Sequence, residues 1–120
     1  MCLVLLIVSL LFCASTDLQA ESPAVEKVEG QPLAANVKRL ISALEYLGAP
    51  LPASLVQELN TACDQRDAAT IQKLLDSEVL CLVSLNPEVR TKVARGPVVA
   101  VLQQGGFTPF VVKVVNQSTV

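Results

Sequence analysis

After Asp76 the spacing of apolar residues changes from the period of a helix to the period of a strand, and this switch limits what the 120-residue chain can become. Upstream of it, Leu33, Val37, Leu40, Ile41, Leu44 and Leu47 form one stripe of a 3.6-residue repeat, with Lys38, Ser42 and Glu45 off the stripe. Gly48 stops that helix and Pro50 follows it. A second helix carries Leu55, Val56, Leu59, Ala62 and Cys63, with Pro52 in its first turn or Ser54 as its cap and Gln57 completing a capping box. A third, short helix starts at Asp67 as its cap and carries Ile71, Leu74 and Leu75.

Downstream of the switch, "VLCLVSL" (79–85) is a nearly continuous apolar run that ends at Asn86-Pro87, as expected for a strand covered on both faces. "EVRTKVAR" (88–95) alternates, with Val89, Thr91 and Val93 on one side and Glu88, Arg90 and Lys92 on the other, which predicts a half-buried strand. Gly96-Pro97 makes a turn, "VVAVL" (98–102) predicts another strand, "QQGG" a further turn, and Phe107 to Asn116 the last strand, with Pro109 at its start or beside a bulge. The expected fold is α+β: two or three short helices over 33–76, then a small antiparallel β-sheet within 77–120 that reads as the opening of a β-sandwich.

The amino terminus carries an address. "MCLVLLIVSLLFCASTDLQAES" contains an apolar run from Cys2 to Ala14 broken only by Ser9, then small and polar residues. That pattern is a secretory signal over 1–20, cleaved after Ser15 or Ala20, although no Lys or Arg precedes the apolar run. The run falls short of the ~20 residues that span a bilayer, so membrane association is expected only through an uncleaved signal. Phe12 stands where lipoprotein signals place a small residue before the lipidated cysteine, which argues against lipidation at Cys13. Residues 21–32 are polar, hold two prolines and a glycine, and predict a flexible linker. An exported location, in the periplasm, the cell envelope or outside the cell, follows.

Export sets the expectation for Cys63 and Cys81, which an oxidising compartment would allow to form a disulfide between the helical and sheet parts. The other reading is two small apolar residues. A structural zinc site is excluded, because the chain has no His to complete two thiolates. The same absence removes the commonest general base, and no G-x-S-x-G elbow or glycine-rich phosphate loop is present. Arg90, Lys92 and Arg95 form the one basic cluster. Without interleaved aromatic residues they read as a solvated strand face that discourages edge pairing, not as a nucleic-acid site. Asp64 and Asp67, with Asn60 nearby, lack the alternating oxygen ligands and glycine of a calcium loop and read as caps and turn residues. Asn116-Gln117-Ser118 matches the N-glycosylation pattern, which carries meaning only in a eukaryotic secretory pathway. Net charge is −2 with the signs interspersed, so neither nucleic acid nor an anionic membrane surface is an expected partner. No enzyme activity, catalytic residue, metal or cofactor is expected, and an open sheet edge leaves self-association as the foreseeable contact.

Three stretches, "IQKLLD", "CLVSLNPEVRTKVARGP" and "LQQGGFTPFVVKVVN", resemble the non-catalytic amino-terminal region of large exported bacterial proteins, some of which carry a metallohydrolase domain of the PHP or CehA/McbA type downstream. The matching positions are Asn86, Pro87, Glu88, Arg90, Lys92, Val93, Gly96 and Pro97, then Phe107, Phe110, Val112, Lys113, Val114 and Asn116. The resemblance covers under half the chain and departs from the pattern after Asn116, where Gln117-Ser118-Thr119-Val120 replaces an acidic, alanine-containing segment. It implies a non-catalytic module that continues into further β-structure, and no hydrolase chemistry transfers with it. Two functional expectations follow: an exported non-enzymatic module, a shortened relative of a longer secreted protein, or a truncated amino-terminal fragment of an exported metallohydrolase lacking its catalytic domain.

Overall fold

A computed structural model of the chain describes residues 23–101 and 104–118; the signal expected over 1–20 lies outside the described residues. Helix α1 (Gly30–Tyr46), α2 (Ala53–Gln65) and α3 (Ala68–Asp76) precede strands β1 (Val79–Leu85), β2 (Thr91–Arg95) and β3 (Val111–Asn116). The α+β class, with helices followed by a small sheet, is the observed architecture.

Helix α1 starts three residues ahead of the first stripe residue, Leu33. Pro32 is tolerated there because amide groups in the first turn have no intrahelical acceptor. Gly30 is required by close approach: a Cβ at this position would lie 1.9 Å from the Arg66 carbonyl oxygen at the end of α2. The helix ends at the expected glycine. Gly48 has φ +75°, its amide donates to the Glu45 carbonyl at 3.1 Å, and the Ala49 amide donates to the Leu44 carbonyl at 2.9 Å. Helix α2 begins at Ala53 with Pro52 as its cap residue, so Ser54 lies inside the helix and the expected capping box does not form. Its end uses the same backbone pattern with a poorer residue, since Arg66 takes the left-handed conformation (φ 56°) while Asp67 donates to the Ala62 carbonyl. Asp67 then caps α3 as expected, its carboxylate accepting from the amides of Ala69 and Thr70 at 3.1 Å each.

The three helices hold the core. Ala34, Val37, Leu59, Ala62, Cys63 and Ile71 are buried together, with Leu33, Ile41, Leu51, Leu55, Leu74 and Leu75 packed around them. Leu47, expected on the buried stripe, is 59% exposed because it is the residue at which α1 unwinds. Among the described residues, Val79 is the only strand residue that is buried.

The sheet has the order β2-β1-β3. β1 and β2 form an antiparallel hairpin in which Leu85 faces Thr91 and Cys81 faces Arg95. β3 lies on the other side of β1 and runs parallel to it, so the sheet is mixed where a purely antiparallel one was expected. The cause is Gly96. Its amide donates to the Leu80 carbonyl at 2.8 Å, and a Cβ there would stand 2.0 Å from the Val79 carbonyl oxygen. The chain leaving β2 is thereby drawn beneath the first residues of β1, and the Val98 amide then donates to the Val79 carbonyl at 3.3 Å. From that end β3 returns on the far side of β1, in the direction of β1. The strand expected over 98–102 does not form among its described residues 98–101, and Val99 and Val101 are 77% and 73% exposed.

The strand expected from Glu88 starts at Thr91 instead. Residues 86–90 make the hairpin loop: the Asn86 side-chain oxygen accepts from the amides of Glu88 (3.1 Å) and Arg90 (2.7 Å), and the Val89 amide donates to the Asn86 carbonyl (2.9 Å). Val89 sits there with φ 60°, a conformation that β-branched residues rarely adopt.

Candidate functional site

Register assigns each strand residue to one of two faces. Toward the helices point Leu82, Ser84, Ala94 and Lys92 of the hairpin with Val111, Lys113 and Val115 of β3. Away from them point three cross-strand rows: Thr91, Leu85 and Asn116; Val93, Val83 and Val114; Arg95, Cys81 and Val112. A sheet face turned to water is ordinarily polar. This one has a single charge, Arg95 at a corner, and a valine row across its middle in which Val93 is 63% and Val114 59% exposed, with Val112 below at 45%.

The helix-facing side is closed differently. The ammonium of Lys113 donates to a carboxylate oxygen of Asp76 at 2.8 Å and to the Ala24 carbonyl at 2.9 Å, and both charged side chains are only 13% exposed. Lys113 is the one charge in the last strand, and this pair explains its presence there. The extended segment 23–29 forms a strap over the same region. Gln72, buried on α3, offers its amide edge to Glu26: its Oε1 accepts from the Glu26 amide at 2.9 Å and its Nε2 donates to the Glu26 carbonyl at 2.8 Å. Strap, α1, α3 and β3 enclose a mainly apolar groove of about 660 Å³, bordered by Val28, Leu33, Leu40, Leu75 and Val111.

The cysteines lie in separate environments. Cys63 is buried in the helical core with its Sγ 3.9 Å from the Ala34 carbonyl oxygen, whereas Cys81 is half-buried on β1; both are free thiols. Burial pushes the Cys63 thiol up from its ordinary value, with a smaller opposing pull from Lys38, so it is protonated near neutral pH and a poor nucleophile.

The basic trio is not gathered. Arg90 lies in the hairpin loop, 3.4 Å from the Glu88 carboxylate, while Lys92 and Arg95 take opposite faces of β2. Asp64 pairs with Lys38 at 3.0 Å, an exposed contact between α2 and α1 whose hydrogen bond raises the Lys38 ammonium above its ordinary value. Asp67 is held below the usual carboxylate range, chiefly by the Thr70 hydroxyl 2.6 Å away and then by the Thr70 amide. Asn60 is exposed on α2. Asn116 ends β3, where its side chain accepts from the Ser118 amide at 2.9 Å.

Among the described residues no group of three or more His, Cys, Asp or Glu could hold a metal ion, and no helix is long and apolar enough to cross a membrane. Sequence reasoning did not single out Gln72 or the Lys113–Asp76 pair. For the pair, a lone lysine inside an apolar strand was the available signal; for Gln72, a glutamine on a short helix carried none. Comparison with protein-family models, with curated proteins and with solved structures finds no match to this chain.

Proposed function

We propose that this chain is an exported, non-enzymatic interaction module that acts by associating with protein rather than by chemistry. The observation that carries the reading is the outward sheet face, three rows deep and apolar across its centre, on a chain whose core cluster lies among its helices with Val79 the one strand residue buried among those described. Contiguous exposed apolar surface of this kind marks association sites in folded proteins. Its single peripheral charge suits neither phosphates nor an anionic lipid surface. The resemblance to non-catalytic regions of exported proteins points the same way, as does the amino-terminal signal.

Export is tested by sequencing the amino terminus of the secreted or periplasmic product, which should begin at Thr16 or Glu21; retention of Met1 in the cytoplasm would refute it. Association is tested in the producing cell with a photo-crosslinking amino acid at Val93 or Val114, and at Tyr46 as a control that is 91% exposed on the helical side. Adducts should form from positions 93 and 114 and not from 46. No adduct from either strand position would overturn the interaction reading.

A further inference from the structure

We propose that the surface covering the outward sheet face is the same face of a second copy of this chain, the two sheets stacking as the halves of a sandwich. The proposal rests on the interaction reading above and names its partner. Two aligned sheets pack about 10 Å apart with their inner side chains interdigitated, and each needs an apolar inner face. Here that face exists and no element of the described chain covers it.

Self-complementarity follows from the placement of the rows. A two-fold axis between stacked sheets runs either along the strands or across them. Along the strands, β2 of one copy lies over β3 of the other, so Val93 meets Val114 and Val83 meets Val83. Across the strands, Val93 meets Val93 and Val114 meets Val114. In both arrangements the central valine row meets a valine row, and the two Arg95 side chains stay apart because Arg95 occupies a corner. Burying valine on valine is therefore possible without opposing like charges.

Size is consistent with a reversible dimer. Three strands about 4.8 Å apart and three rows about 6.8 Å apart give a footprint of roughly 14 by 20 Å, about 280 Å² per copy and about 560 Å² for two such faces before side-chain relief is counted. That is below the standard size of specific interfaces and fits a weak, concentration-dependent contact. The contact also differs from edge pairing, which Lys92 and Arg95 on β2 disfavour.

The experiment is sedimentation equilibrium of the purified chain from low micromolar to several hundred micromolar, with Val93→Lys, Val114→Lys and the double variant alongside. Both positions are more than half exposed, so the variants should keep the wild-type circular dichroism and cooperative melting. Wild type should pass from monomer to dimer, each single variant should weaken association about tenfold or more, and the double variant should stay monomeric. Should a variant fail to fold, Val93→Thr with Val114→Thr replaces it, keeping β-branching while making the row polar. A wild-type chain that remains monomeric throughout, or variants that dimerise as wild type does, would overturn the second-copy proposal. If crosslinks from Val93 then lead to a different protein, the interaction reading survives without it; if no crosslink forms, both fall.

Discussion

Replacing Val89 with glycine should make the protein more stable, although it removes a side chain. Val89 closes the Asn86–Val89 turn of the β1–β2 hairpin and holds φ 60°. Hairpin loops that end in a left-handed residue ordinarily put glycine there. The left-handed conformation costs an L-residue about 1–2 kcal/mol, and a β-branched one the upper part of that range. Glycine removes this cost but adds about 0.7 kcal/mol of backbone entropy lost on folding. Val89 is 55% exposed, so its truncation forfeits only a fraction of the value of a buried valine, about 0.5 kcal/mol. The balance is a gain of about 0.3–0.8 kcal/mol, and at about 4–8 °C per kcal/mol for a domain of this size Tm should rise by roughly 1–6 °C. Asparagine, which tolerates the left-handed region, should give part of the gain; isoleucine should give none. Thermal and urea unfolding by circular dichroism would decide. If both Val89→Gly and Val89→Asn melt at or below the wild-type temperature, the loop stores no strain and the reasoning fails.

Gly96→Ala should destabilise by about 3 kcal/mol or more, because its Cβ would meet the Val79 carbonyl oxygen at 2.0 Å and the crossover beneath β1 must shift; urea midpoints would show it. Asp76→Ala should cost about 3 kcal/mol by stranding the part-buried Lys113, while Asp76→Leu with Lys113→Met should cost clearly less than the sum of the single changes in a double-mutant cycle. For Asp67 the folded-state pKa lies below the unfolded one, so its contribution is present above the unfolded aspartate value and fades as pH falls through the folded value. Asp67→Ala should lower Tm at neutral pH and leave wild type and variant closer together in acid, as pH-dependent melting would register.

The helical half was legible because its signals are local. Gly48, Asp67 and the Ile71–Leu75 stripe act within a turn of themselves, and each does in the fold what its residue type and spacing require. The sheet was legible as strands but not as an arrangement. Alternation in "EVRTKVAR" gave a period and a start, yet the loop bonds of Asn86 consumed its first residues, and Val93 lies exposed on the outward face. Parallel pairing of β3 depends on Gly96 lying against the Val79 carbonyl, a close approach between positions 17 apart (96 − 79) that no local pattern encodes. Of the site, the apolar faces of β1 and β3 were readable from "VLCLVSL" and "FVVKVVN". Their lack of cover was not, because cover depends on where the helices bury their own stripes.

The crossover that puts β3 beside β1 also dictates an order of events. Val79 pairs with Val111, 32 positions later (111 − 79), whereas the β1–β2 hairpin needs only near neighbours. As the chain folds, β1 can acquire its hairpin partner early, while its other flank stays bare until β3 docks. Docking of β3 is thus the closure of this sheet that spans the longer stretch of chain, and it is expected to follow the hairpin.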